Sequence, residues 1–308
     1  MRVSYVASQT SGLLKFADLN QVPASTAPYS QSRTPYPVWK SVQSFENLGF
    51  TNYQSLQTEL SRRFRAGLFF QASYTLAKEL GNAGNAAASD FPPEAPFGAV
   101  PIDRFNTRLD RGNFGASRRH RFVLTGIFPL PVGKGRSFGT RLHGLLQTVA
   151  GGWDLSTVTL LQSGPYQTPM MSANLDRSNT NLAGRTSLSR PDRIADGNLT
   201  DPTPDHYYDF MAFAPPSVGA GRFGNAGEGI LVAPGTIAVA AGLSKTFAVT
   251  ERVRLRMEGT FTNLPNHPNF YQPVVNISNP SAFGKLTKVQ SAENCGNRSG
   301  QIGVRVEF

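Results

Sequence analysis

The chain has 308 residues, enough for one large domain or two ordinary ones, with Gly 30, Pro 22, 16% charged, 39% hydrophobic and 10% aromatic residues. That balance excludes a charge-rich disordered chain and a helical bundle, and it suits turn-rich, aromatic-rich β structure. Lys plus Arg number 30 against 20 for Asp plus Glu, a net charge of +10 that keeps an anionic partner in view.

Taken in chain order, residues 2–7 read as the tail end of a strand, and a second strand is expected over 38–47. Leu56, Leu60 and Phe64 then alternate with Gln57, Glu59, Ser61 and Arg63. After a tight connection at Ala66-Gly67, Leu68, Phe70, Ala72, Tyr74 and Leu76 alternate with Gln71, Ser73 and Thr75, so 56–64 and 68–76 form a hairpin. Strands follow over 120–128, 152–162 and 236–247, the middle one with broken parity because Val158 and Leu160 fall out of step with Trp153 and Leu155. From Arg252 the alternation is clean. Val253, Leu255, Met257, Gly259 and Phe261 share one face, with Leu255 near mid-strand, while Arg252, Arg254, Arg256, Glu258, Thr260 and Thr262 share the other. The last residues repeat it, Ile302, Val304, Val306 and Phe308 against Gln301, Gly303, Arg305 and Glu307.

About nine such segments of roughly ten residues match the length of a tilted membrane strand. Their connections alternate, long at 79–119, 163–234 and 264–298, short at Ala66-Gly67 and Val249-Thr250. Long loops outside and short turns inside are the rule for outer-membrane barrels. The connections at 18–37 and 129–151 are longer than that rule prefers, and 142–149 reads as a short amphipathic helix. The fold expected is therefore all-β: an antiparallel transmembrane β-barrel segment, lipid-facing outside and polar inside, with long extracellular loops.

Other chemistry finds little footing. The single Cys295 cannot close an internal disulfide, no Cys/His cluster has metal-ligand spacing, and no cofactor is implied. No run approaches the roughly 18 to 20 apolar residues of a spanning helix, and the first residues lack the apolar stretch of a signal peptide. Gly219, Gly221 and Gly224 carry the letters of a dinucleotide fingerprint but follow Pro215-Pro216, so they read as a loop. His120, His143, His206 and His267 are dispersed and form no triad, so no enzyme is expected. Asp192, Asp196, Asp201 and Asp205 in the longest loop read as solvated acids rather than a calcium site. Tyr166, Tyr207, Tyr208 and Phe210 there either touch an extracellular ligand or pack on one another. Lys and Arg are spread over strands and loops without a stripe, which excludes a dedicated nucleic-acid surface.

Particular phrases point to a family. Asn52-Tyr53-Gln54-Ser55-Leu56-Gln57, Arg62-Arg63-Phe64, Gly67-Leu68 and the run from Ala72 to Lys78 resemble the recurrent hairpin of TonB-dependent outer-membrane receptors, specifically the Oar-like type abundant in acidobacteria. The stretches Arg118 to Leu124, Gly152-Trp153, Leu161 to Gly164, Phe223 to Ala226, Thr250-Glu251-Arg252 and Asn263 to Phe270 are similar to that family in the same order, ahead of a terminal strand ending in Phe308. The resemblance covers nearly the whole chain. It implies a receptor or transporter of the cell outer membrane, with a periplasmic module and a plug inside a barrel of about 22 strands. Residues 1–308 then correspond to the C-terminal part of the barrel without the plug, and Met1 to a position inside a longer reading frame. The resemblance also implies uptake or binding of a bulky solute driven through TonB, which would contact the plug region. A smaller porin or adhesin barrel, or a soluble β-sandwich adhesin, are the alternatives.

Candidate site residues follow. Phe308, an aromatic last residue on the apolar face, fits the signal read by the barrel-assembly machinery, against an ordinary edge strand. Arg252, Arg254, Arg256 and Arg305 form a basic row expected to face the lumen, or simply a solvated face. Arg118, Arg119 and Arg121, with His120, sit at a loop-to-strand junction. There they meet lipopolysaccharide phosphates beside the outer-membrane lipid, or pair with loop acids such as Asp110.

Overall fold

The computed structural model describes residues 1–64, 67–82, 101–181, 188–291 and 296–308; Cys295 and Ala66 lie outside the described residues. Its main feature is a nine-stranded antiparallel sheet. Eight long strands run along it in sequence order: β1 (Arg2–Asp18), β2 (Gln43–Arg63), β3 (Phe69–Gly81), β4 (His120–Pro129), β5 (Asp154–Gln162), β6 (Thr236–Ala248), β7 (Arg254–Thr262) and β8 (Ser299–Glu307). The ninth is the two-residue strand Gly112–Asn113, paired to the upper end of β3. The path ends at β1 and β8, which do not pair with each other.

Two expectations change here. The strands expected over 38–47 and 56–64 merge into one 21-residue strand, β2, with residues 38–42 left in the connection before it, and the stub at 2–7 is the start of the 17-residue β1. Both extend well beyond the roughly nine to eleven residues that cross a bilayer. Their merger moves the 19–42 connection to the long-loop side, so only the connection between β4 and β5 remains a long excursion among the short turns. That excursion contains the helix α1 (Gly144–Ala150).

Register fixes the faces. Leu56 pairs with Leu76, which pairs with His120; Leu60 pairs with Ala72, which pairs with Leu124. Leu161 pairs with Ile237 and Leu155 with Leu243, and Met257 pairs with Val304. Residues directly opposite share a face, so one apolar row runs across the whole sheet. Leu56, Leu60, Leu161, Ile237, Leu243, Phe261 and Val304 in that row are exposed, while Ser55 and Thr236 of the opposite row are buried. A water-soluble sheet does the reverse. An apolar outside and a polar inside is the arrangement of a wall facing lipid.

The outer row also marks the bilayer edges. Between Arg62, whose guanidinium lies 4.3 Å from the Phe64 ring, and the polar pair Gln54 and Lys78, β2 spans the expected membrane length. Tyr74 and His120 meet near the upper edge through a 2.8 Å hydrogen bond, a polar-tipped aromatic pair suited to an interface. The broken parity of β5 is resolved as well. Its pairings with β4 and β6 are unshifted, so Val158 and Leu160 lie on the inner face beside Ser156 and Gln162.

The hydrophobic core lies in the loops. Met171, Tyr208, Ala212, Phe213, Leu231, Ile277 and Phe283 cluster above the upper strand ends, drawn from the 163–235 and 263–298 connections. Short ladders stiffen them: Tyr166–Gln167 with Leu231–Val232, Met171–Ser172 with Leu188–Ser189, Asp192–Arg193 with Phe213–Ala214, and Asn198–Thr203 with His206–Tyr208.

Candidate functional site: a polar inner wall beneath a braced loop cap

On the inner face of β2, β3 and β4, alternate side chains converge on a cavity of about 450 Å³. Tyr53 and Gln57 come from β2, Thr75, Ala77 and Glu79 from β3, and Ser117, Arg118 and Arg121 from the entry to β4. Thr75 pairs with both Gln57 and Arg121, which places the three side by side on one face. Arg118 donates to the carbonyls of Ala116 at 3.0 Å and Ser117 at 3.4 Å, and burial pulls its guanidinium below the ordinary value. Two cations, one carboxylate and several hydroxyl and amide groups make a surface for hydrogen-bonding solutes.

Above the wall stands a buried ion network. Lys15, near the top of β1, donates to the Asn82 carbonyl at 2.6 Å and to Asp110 Oδ2 at 3.3 Å. Asp110 Oδ1 accepts from the Ile102 amide at 3.3 Å and from Arg190 at 3.1 Å, and Arg190 also bonds the Leu109 carbonyl and Glu228. Two cations and two anions balance, so the burial of Lys15, Asp110, Arg190 and Glu228 leaves no net charge to desolvate. The network joins β1, the 101–119 segment and both ends of the 188–228 stretch. Gly112 makes that closeness feasible, since a Cβ there would stand 2.1 Å from the Glu228 carbonyl oxygen.

Farther out, Arg222 grips Asp192 through two hydrogen bonds of 2.7 and 2.8 Å and holds its carboxyl below the usual carboxylate range. Asp196 accepts from the Asn198 amide and side chain, which lower it, with Arg193 at 3.4 Å. These acids serve loop structure. Among the described residues no group of three or more His, Cys, Asp and Glu is placed to hold a metal. The loop aromatics pack on one another: Tyr208 lies edge-on to Tyr207 and donates to Gln167 at 2.9 Å, and Phe210 and Phe213 meet Phe283. Burial, then the neighbouring Tyr207, pushes the Tyr208 phenol up. Gly219 and Gly221, at φ +79° and +62°, lie in a loop as expected.

The basic residues singled out by sequence separate. Arg118 and Arg121 line the inner cavity, and Arg119 reaches the Ala77 carbonyl at 3.4 Å. The cavity residues face away from the lipid side, where lipopolysaccharide would stand; His120 is the member on the outer row. Asp110, their expected partner, is taken by Lys15 and Arg190. Arg256 pairs across from Arg305 and Arg254 from Glu307, on the face opposite Leu255; Arg252 lies in the turn before β7. Phe308 follows the end of β8 and is fully exposed. Tyr53, Glu79, Lys15, Arg190 and Glu228 were not singled out from sequence. Tyr53 and Glu79 share the parity of Gln57 and Thr75, a signal available once the strands are extended upward.

An apolar-out, polar-in antiparallel wall crowned by structured loops is the architecture of an outer-membrane β-barrel protein. The chain belongs to the outer membrane beta barrel domain family, whose match covers residues 1–301. Its place is the outer membrane. Among solved structures it is similar to the outer membrane transporter YddB from Escherichia coli, with a TM-score of 0.52 at 10% identity, over 99% of this chain and 30% of that one. The chain thus spans about a third of the length of that structure, and the likeness concerns the fold. A search of curated proteins by sequence finds no match.

Proposed function

We propose that residues 1–308 form the C-terminal part of the barrel wall of a TonB-dependent receptor of the Oar-like type, which takes up or binds a bulky solute. The observation that carries this reading is the open sheet with a polar inner wall beneath a braced cap. Among the described residues, eight long strands leave β1 and β8 each with an unpaired edge, a costly state in lipid unless further strands complete the ring. The coverage of a longer transporter fold by this chain supports the same reading.

In this scheme the cap captures solute, and the Arg118, Arg121 and Glu79 cavity gives it a polar foothold on the way down the wall. A plug engaged by TonB gates the lumen. The row Arg254, Arg256 and Arg305, with Arg252 at its foot, offers partners for plug carboxylates. Phe308 is the handle for the assembly machinery, and lipopolysaccharide contacts the outer rim beside His120. No chemical conversion of the solute is part of the scheme.

Fractionating membranes of the source cell and blotting with an antibody to the 163–234 loop tests it. A band several-fold larger than 33.3 kDa in the outer membrane, with solute uptake lost on deletion of TonB, is the expected result. A membrane band of 33.3 kDa would instead mean a small porin or adhesin barrel.

A further inference from the structure

The wall carries one feature at its lower end that transport does not call for. The connection between β4 and β5 folds into a compact element. Phe138 donates to the Pro131 carbonyl and Gly133 to the Phe138 carbonyl, both at 2.8 Å, while the Lys134 amide donates to the Gln147 side chain at 2.9 Å. It delivers α1 to the outer face of the wall. Lys245, which stands in the lipid-facing row of β6 between Leu243 and Phe247, is only 6% exposed because the end of α1 covers it. Its ammonium donates to the carbonyls of Thr148 and Gly151 and approaches that of Val149 at 3.5 Å. The rings of Phe247 and Trp153 lie 4.8 and 5.7 Å away.

A helix end leaves its last carbonyls without partners and carries partial negative charge, and a lysine on a lipid face is costly alone. Each cancels the other's penalty. The bolt has a consequence for the opposite side of α1, where Leu145, Leu146 and Val149 are 84%, 66% and 64% exposed, with Phe138 at 66%. These residues sit beside the lower edge of the apolar outer row and continue it. Trp153, whose indole donates to the Val149 carbonyl at 2.7 Å, is the side chain that prefers a membrane interface. From 130 to 153 the sequence holds Lys134, Arg136, Arg141 and His143 and no Asp or Glu. Apolar exposure, continuity with the lipid face and an excess of positive charge within the connection fit one occupant.

We infer that the β4–β5 connection is an interfacial anchor, in which α1, clamped by Lys245, lies in the inner leaflet of the outer membrane. Leu145, Leu146 and Val149 enter the acyl boundary while Lys134, Arg136 and Arg141 meet anionic phospholipid headgroups. It sets the depth and tilt of the wall, as an outrigger does.

The test places an environment-sensitive fluorophore at Leu146→Cys in a Cys295→Ser background. The protein, purified as it occurs in its membrane, goes into vesicles of phosphatidylcholine with phosphatidylglycerol, one set carrying a quencher on the acyl carbons near the headgroup. Blue-shifted emission, strong quenching, and a loss of quenching in Lys245→Met are expected. The triple change of Lys134, Arg136 and Arg141 to Gln lies outside the sheet; it should reduce quenching in these vesicles towards the level seen in pure phosphatidylcholine. Water-like emission without quenching would overturn the anchor. Blue-shifted emission that no lipid quencher reaches would assign the helix to a protein partner or a second copy instead. Equal quenching in pure phosphatidylcholine would overturn the headgroup contact. Should Lys245→Met fail to give the folded, heat-modifiable band, the triple variant still decides.

Discussion

Leu124 and Thr125 are neighbours in β4 with opposite environments, and they test the facing assignment better than Leu255, which the alternation alone places near mid-strand. Leu124 stands mid-strand in the outer row between Ala72 and Thr159, while Thr125 faces inward between Gln71 and Val158. Leu124→Arg should cost about 2 to 4 kcal/mol of barrel stability and Thr125→Arg much less, read by denaturant titration in lipid. Leu255, expected near mid-strand, sits at the second position of β7 beside the lower turn, so arginine there should cost only about 0 to 1 kcal/mol because the penalty falls towards the interface. Arg190 is a different kind of residue. Truncating it to Ala leaves Asp110 and Glu228 buried against a missing cation, a loss of about 3 to 5 kcal/mol expected for a broken buried ion network. Proteolysis of the native protein should then cut the 188–228 stretch while the wall strands stay protected. Cleavage unchanged from the parent would show that the loop core alone holds the cap.

At the scale of elements, the loops behave as a small folded body with its own acid sensitivity. Asp192 is held low by Arg222 first of all, so the folded carboxyl has a lower pKa than the unfolded one. The pair's contribution is therefore complete above the ordinary aspartate range and fades as pH falls through the depressed value. Because Arg222 is half exposed, the contribution is about 1 kcal/mol or less. Protease susceptibility of the 192–225 region should rise on acidification in the parent and be already raised, with a flatter pH profile, in Asp192→Asn. The elements differ in how plainly sequence displays them. β3, β6, β7 and β8 were legible because lipid on one side and water on the other force alternation, β4 by its aromatic and β-branched run although Val123 and Ile127 are apolar on the inner row, and α1 because its apolar residues leave that period. The joining of β2 was not, since Gly49, Thr51 and Asn52 stand above the bilayer, and Gln54 at its edge, where neither face must be apolar. The ion network was hidden for another reason: Lys15, Asp110, Arg190 and Glu228 are far apart in sequence, and only the loop fold brings them together.

For the molecule as a whole, the decisive property is that the sheet is open. Interior strands satisfy backbone groups on both sides, whereas alternate amides of β1 and β8 point to an edge with no partner along the described path. In water such edges would be hydrated, but in a bilayer or micelle they face hydrocarbon, where each unpaired group costs several kcal/mol. A chain of residues 1–308 held in detergent should therefore show graded amide exchange. The amides of β3 to β6 should be slow, and the outward amides of β8 fast, even though β7 and β8 share an unbroken nine-pair register. The same measurement on a longer native product, if further strands close the ring, should slow β8 to the level of β4 and leave α1 and the turns unchanged. Slow exchange of β8 in the 308-residue chain alone would mean that its edge is paired, either with β1 of the same molecule or with a second copy. That outcome would replace the wall of a large receptor with a small closed barrel.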